Sequence, residues 1–300
     1  MYNKGVSNTV SNFISVSSYP GVILLGFVLY SMFCNIGFPI FIAAYAAVII
    51  CAALVTLHEL ILPFRHEWKP RVDDLKNDAW FMILVQFALP YLLSITVVVL
   101  LSQIIKSNGY AIENIWPHDL PVALQVCLML VLAEFPRYWL HRAFHNLAPM
   151  WRFHAVHHSP HRLYWLNVGR FHPIEKAVQY VFDALPFALM GLSTEVLGAY
   201  FIFYAINGFY QHSNCLVLLG PLNYIVSGPE LHRWHHSVNI KESNNNYGNN
   251  LIIWDVIFGT RFLPQNRLVG DLGLLNRNYP KSLIAQMKTP FIKGIDKAQS

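Results

Sequence analysis

The stretch LPVALQVCLMLVLAEFPRYWLHRAFHNLAPMWRFHAVHH, residues 120–158, decides the fold. Its first part, about 120–139, is apolar and long enough to cross a bilayer as a helix, which takes about 20 residues. Directly beyond it come His141 and His145, spaced i, i+4, then His154, His157 and His158, spaced i, i+3, i+4. On a helix each set shares one face. The triplet pattern recurs at His232, His235 and His236. A membrane helix that delivers imidazoles to its own end is therefore the element around which the rest is arranged.

Composition supports a lipid-exposed chain. Of 300 residues 55% are hydrophobic and 12% charged, against about 25% charged in a soluble domain; mean hydropathy is +0.38. Three further stretches read as spans, at about 20–34, 39–62 and 79–103, the first of them short. The net charge of +5 is the positive-inside excess of a membrane protein, with no basic face of the kind nucleic acid requires. Residues 64–78 carry Arg65, Lys69, Arg71 and Lys76, whereas 104–119 carry only Lys106. The former loop is thus expected on the cytoplasmic side, and the histidines with it. Residues 177–210 form a further apolar region, divided by Asp183, Pro186, Gly191 and Glu195. It is expected as a helical hairpin that dips into the membrane or packs on the bundle. The fold class is therefore all-α: an integral membrane bundle of about four helices with a cytoplasmic histidine-rich helical cap. The expected organisation is a membrane anchor over 1–119, a catalytic region over 120–264 and a polar basic tail over 265–300. The four cysteines show no CxxC spacing and read as packed hydrophobes. The first 19 residues lack the basic-apolar-small order of a cleavable signal.

Neutral imidazole is a common ligand for iron, zinc and copper. Two histidines one turn apart chelate a single ion, and an i, i+3, i+4 triplet reaches two neighbouring ions. Eight imidazoles exceed the needs of one ion and suit two. His212 follows the apolar hairpin and is a candidate ninth ligand. His172, before Pro173, is expected either beside the ligands or in a purely structural role, and His161 beside them or at the surface. His58, His66 and His118 stand apart near membrane boundaries and read as structural. Glu134, two turns before His141, either hydrogen-bonds a ligand imidazole or pairs with Arg137 or Arg142. Asp255 reads as a turn organiser. Trp139, Trp151, Tyr164, Trp165 and Trp234 belong to an interfacial aromatic belt or to a substrate entrance. No HExxH, GxSxG, Walker or GxGxxG motif occurs, so any electrons are expected from a separate protein. Two other classes fit a membrane metal site: a zinc-dependent hydrolase, active without O2, and a non-catalytic metal-binding or transport protein. The latter needs ionisable residues along the spans, which hold very few.

In His141-Arg142-Ala143-Phe144-His145, His154-Ala155-Val156-His157-His158 and His232-Arg233-Trp234-His235-His236 the chain resembles the fatty acid hydroxylase/sterol desaturase superfamily of membrane non-haem di-iron oxygenases. Phe171-His172-Pro173-Ile174-Glu175, Gln211-His212-Ser213-Asn214 and Asn246-Tyr247-Gly248 extend the likeness, which covers about 120–264. The resemblance implies two iron ions, O2 as co-substrate and hydroxylation or desaturation of a lipid C–H bond. It implies His141, His145, His154, His157, His158, His212, His232, His235 and His236 as ligands. It also implies an external electron donor, whether a reductase, a cytochrome b5-like or a ferredoxin-like protein. Sterol, fatty acyl chain, alkylglycerol ether, carotenoid and aminolipid all stay open as substrates.

Overall fold

A computed structural model describes residues 8–109 and 112–296; residues 1–7 of the amino-terminal segment and 297–300 of the tail lie outside them. The described residues are helical, with only isolated bridges such as Pro63 to Cys215. Four helices are long and apolar enough to cross a membrane. They are α1 (Asn8–Asn35), α2 (Ile40–Ile61), α3 (Val72–Ser107) and α4 (Val122–Asn146). Next in chain order come α5 (Ala148–His158), α6 (Pro173–Asp183), α7 (Leu185–Leu189), α8 (Thr194–His212) and α9 (Pro229–His235), followed by short helices at Ile240–Ser243, Ile253–Ile257 and Leu283–Gln286.

The first span is longer than its apolar stretch. Ser15 and Ser17 return their hydroxyls to carbonyls four residues back, at 2.8 and 2.7 Å, and Tyr19 donates to Asn207 Oδ1 at 2.7 Å. These polar residues are satisfied within the helix or against α8, so the helix runs through them. α3 likewise exceeds the expected stretch, and two π-helical segments, Met82–Ala88 and Ser94–Val98, flank Pro90. Proline has no N–H to give the ladder, which shifts around it. Only 6% of the most apolar window of α3 is buried, so that part of the helix is left open on the outer surface. α4 continues seven residues past Trp139, because its apolar face ends there but its helical hydrogen bonds do not. His141 and His145 thereby ride on its last turns.

The hairpin packs on the bundle. Interruptions of the helix at Ala184 and at Gly191, whose φ is 71°, separate α6, α7 and α8. α8 lies against α1, α2 and α4, and its Ile202 and Ile206 join Ala43, Ala47 and Cys51 in the core. Gly26 makes that approach feasible, since a Cβ there would stand 2.3 Å from Ile206 Cδ1. Cys51 and Cys215 are buried as packed hydrophobes, whereas Cys127 faces outward from α4.

The two kinds of loop separate to opposite ends. Phe64 N–H donates to the Asn214 carbonyl at 2.7 Å, and Trp68 packs with Leu163 and Trp234. The loop that carries Arg65, Lys69, Arg71 and Lys76 thus sits at the histidine end. At the other end Trp116 donates to Gln125 Oε1 at 2.7 Å and meets Phe187 edge-on.

Candidate metal centre

All nine histidines singled out above converge, from four helices. His141, His145, His154, His158 and His235 form one group; His157, His212, His232 and His236 form another. Within each, the ring nitrogens lie within 4.8 Å of one another. The two groups adjoin: His158 of the first stacks on His236 of the second, centroids 4.4 Å apart. Each triplet is divided between them. On α5 the i, i+4 pair His154 and His158 serves the first group and His157 the second. At α9 the pair His232 and His236 serves the second and His235 the first.

Oxygen atoms orient the rings from behind. Nδ1–H of His141 donates to the Tyr247 carbonyl at 2.7 Å, that of His157 to Arg170 at 3.2 Å and that of His235 to Asn245 at 2.8 Å. His145 donates to Asn244 Oδ1 at 3.1 Å, and His212 to Asn167 Oδ1 at 2.8 Å. His154 donates to Glu175 Oε1 at 2.7 Å. A neutral ring that donates from Nδ1 carries its lone pair on Nε2, the arrangement of a metal-ligating histidine. Burial pushes the imidazoles of His154, His157, His158, His232 and His236 well below 6.5 and His235 to about 4, with neighbouring histidines adding to most of them. They are neutral at pH 7. Burial pushes the Glu175 carboxyl the other way, to about 8, opposed first by Arg137; a cation on His154 would draw it back down.

The donor set fits two ions. Nε2 of His154 lies 3.0 Å from that of His141 and 3.1 Å from that of His158, which lies 3.2 Å from that of His235. Nε2 of His232 and His236 are 3.1 Å apart. His141 and His154 both commit their Nδ1–H to oxygens, so their facing Nε2 lone pairs cannot share a hydrogen bond, and all of these spacings suit neighbouring ligands with metal–nitrogen bonds of about 2.1 Å. Nε2 of His145 and of His212 is buried with no partner. A cation in the first group would take the facing lone pairs of His141 and His154 and the bare Nε2 of His145, and one in the second the bare Nε2 of His212.

The other expected residues divide. His172 caps α6, its Nδ1 accepting from Ile174 N–H at 3.2 Å, and touches no ligand ring. His161 meets Arg277 at 2.8 Å near the surface. His58 is buried within α2, and His66 and His118 are exposed, all three outside both groups. Glu134 departs from both expectations: its carboxylate accepts the backbone N–H groups of Asn249 and, at 2.8 Å, Asn250. It shapes the loop after α9 rather than a ligand. Asp255 does organise a turn, accepting from Tyr247 and Gly248 N–H at 2.8 and 2.7 Å. Of the aromatics, Trp151 lies edge-on to His145 at 5.3 Å, Trp165 lines the cavity described below, Tyr164 bonds Asp78, and Trp234 packs on Phe262. The carboxylate that orients a ligand is Glu175. Its only signal in sequence was its place in the fragment Phe171–Glu175.

A cavity of about 470 Å³ leads to the histidines. α2 contributes Tyr45, Val48, Ile49 and Ala52, α3 contributes Met82, Ile83 and Phe87, and α8 contributes Phe201, Ala205 and Gly208. Its inner end reaches His141 and His154 of the first group and His157, His212 and His232 of the second. Ile49, Ile83 and Phe87 are also exposed on the lipid-facing surface, so the cavity borders the bilayer between α2 and α3.

Residues 126–260, a segment that contains every ligand candidate, match the fatty acid hydroxylase family. Ornithine lipid hydroxylase OlsE of Rhizobium tropici is 36% identical over 243 residues, 80% of this chain and 72% of that protein. Human alkylglycerol monooxygenase is 31% identical over 206 residues, covering 68% of this chain and 44% of the relative. The Delta(7)-sterol 5(6)-desaturase erg3B of Aspergillus fumigatus is 28% identical over 188 residues, 60% and 52% of the two chains. No solved structure is significantly similar. With its histidine sets inside the matched segment and a relative this similar across most of its length, the chain belongs to the fatty acid hydroxylase/sterol desaturase superfamily.

Proposed function

We propose that this integral membrane enzyme hydroxylates a C–H bond of a lipid with O2, using two iron ions held by the nine histidines. The observation that carries the reading is the junction of an apolar, bilayer-bordering cavity with two groups of oriented, neutral imidazoles. Two bound iron ions would supply the activation of O2. The balance is one C–H bond, one O2, two electrons and two protons, giving C–OH and water. Desaturation takes the same inputs and returns a C=C bond and two waters. Two of the three relatives named above are a hydroxylase and a monooxygenase, which favours hydroxylation.

The residues of the chain do the rest. His141, His145, His154, His158 and His235 hold one ion; His157, His212, His232 and His236 hold the other. The apolar walls from α2, α3 and α8 admit a hydrocarbon from the bilayer and keep water away from the reacting carbon. Electrons come from a separate reductase, cytochrome b5-like or ferredoxin-like donor. The loop 64–78, with Arg65, Lys69, Arg71 and Lys76 at the histidine end, supports placing both ions on the cytoplasmic side.

The test is anaerobic loading of the purified chain with Fe(II), then exposure to O2 with membrane lipids and a reductase system, products being read by mass spectrometry. An added oxygen atom that carries label from 18O2 is the expected result. Turnover that persists without O2, or with zinc in place of iron, would overturn the oxygenase reading in favour of a hydrolase.

A further inference from the structure

The inner end of the cavity is not uniformly apolar. Gln179 on α6 and Arg137 on α4 line it beside His141 and His154, and both are buried, 3% and 5% exposed. Gln179 donates Nε2–H to Glu175 Oε1 at 2.9 Å, the same oxygen that receives the His154 Nδ1–H. That oxygen of Glu175 already accepts from His154, so the amide nitrogen faces it and the amide oxygen points away from it. The amide oxygen has no partner. Arg137 donates Nη2–H to Asn249 Oδ1 at 3.1 Å; its Nε stands 3.3 Å from Asp183 without a hydrogen bond. A guanidinium has five N–H donors, so this one has donors to spare. An unpaired acceptor and an underused donor thus stand together where the apolar channel ends.

We infer that Gln179 and Arg137 bind the polar group of the substrate, and that this group carries both a hydrogen-bond donor and an acceptor. An amide N–H and C=O satisfy both residues, and so does a hydroxyl. An ester offers Arg137 an acceptor but leaves Gln179 Oε1 unpaired, and a plain hydrocarbon end leaves that oxygen unpaired and Arg137 with only Asn249 and Asp183. Buried polar groups are rarely left so. The placement also decides which carbon reacts. Gln179 is joined through Glu175 to His154, so a lipid anchored there offers the carbons next to its polar group to the histidines. The rest of its chain runs out between α2, α3 and α8 toward the bilayer.

The inference rests on the oxygenase reading, and one experiment separates the two. Iron-loaded full-length protein is given O2, reductant and three lipids with the same alkyl chain: an N-acyl amide, the matching ester and the matching long-chain alcohol. Oxidation of none of the three, nor of a membrane lipid extract, refutes the oxygenase reading itself. The expected result is oxidation of the amide, the alcohol or both within a few carbons of the polar group. Their kcat/KM should exceed that of the ester by about tenfold, the effect of one well-made hydrogen bond; whichever of the two is preferred identifies the donor. Gln179→Met, similar in shape but without the oxygen, should bring the ratio of amide or alcohol to ester down toward one. Because the ratio of two substrates on one preparation cancels iron loading, it stays decisive even if the variant binds less iron. Anaerobic equilibrium binding of the same lipids should show the same tenfold ratio. Equal kcat/KM and affinity for amide, alcohol and ester, or a ratio untouched by Gln179→Met, overturns the inference and leaves a buried water as the partner of Gln179.

Discussion

Removing the carboxylate behind His154 should cost metal at one group and spare the other. Glu175 is 1% exposed and accepts from His154 Nδ1 at 2.7 Å and from Gln179 Nε2 at 2.9 Å. Glu175→Ala removes the only acceptor given to that ring nitrogen, freeing the imidazole to rotate and to change tautomer. Loss of such an outer partner typically weakens metal affinity about 10- to 100-fold, or about 1.4–2.8 kcal/mol. Glu175→Gln can still present an amide oxygen but without charge, so it should fall near the lower figure and Glu175→Ala near the upper. The effect should be confined to the group of His141, His145, His154, His158 and His235, because the second group takes its orienting oxygens from Asn167 and Arg170. Anaerobic Fe(II) titration of the apoprotein, with metal content by mass spectrometry, would show one ion weakened and one retained. Wild-type affinity for both ions in folded Glu175→Ala would refute the argument that this carboxylate positions His154.

The division of the triplets makes a second prediction. His141→Ala should release the ion of the first group and His232→Ala that of the second, each leaving about one ion per chain; full occupancy in either variant would contradict the grouping. At Gly208 a Cβ would meet only Val168 Cγ2, at 3.6 Å, so Gly208→Ala should be tolerated. Gly208→Leu should fill the cavity and cut lipid turnover at least about tenfold, and unchanged turnover in a protein that retains its iron would count against this route. Asp78→Ala strands Arg170, whose guanidinium it pairs with from α3 and whose carbonyl holds His157. Stranding a buried charge costs about 3–5 kcal/mol, and a stability within about 1 kcal/mol of wild type in chemical unfolding would show the pair to be dispensable. Acidification should act through the buried histidines outside the spans. Their folded-state values lie below 6.5, His235 at about 4, so the unfolded chain takes up protons first. Stability of the apoprotein should decline as pH falls from about 6.5 toward 4, the raised carboxyl of Glu175 opposing these histidines without outweighing them; a flat profile across that interval would contradict it.

Much of this protein is legible from local spacing alone. Helical periodicity is a property of neighbouring residues, so His154, His157 and His158 share a face wherever the helix lies, and apolar length alone marks the spans. The charge contrast between residues 64–78 and 104–119 is equally local, and it placed the basic loop at the histidine end. Even the reach of a triplet to two ions follows from the i+3 residue sitting to one side of the i, i+4 pair. What only the tertiary structure decided is which pair meets which partner. α5 and α9 face each other so that His157 crosses to His232 and His236 while His235 crosses to His154 and His158, and no one-dimensional pattern contains that crossing. The same holds for the supporting oxygens. Glu175 and Glu134 are both buried acids, and sequence proximity to His141 singled out Glu134 as one that either meets a ligand or forms an ion pair, with no comparable signal for Glu175. The packing of α6 against α4 and α5 brings Glu175 to His154 across 21 residues, while Glu134 is taken up by the backbone of Asn249 and Asn250. Hydrogen bonds between elements depend on how helices dock, and docking is settled by the whole core rather than by any segment of it.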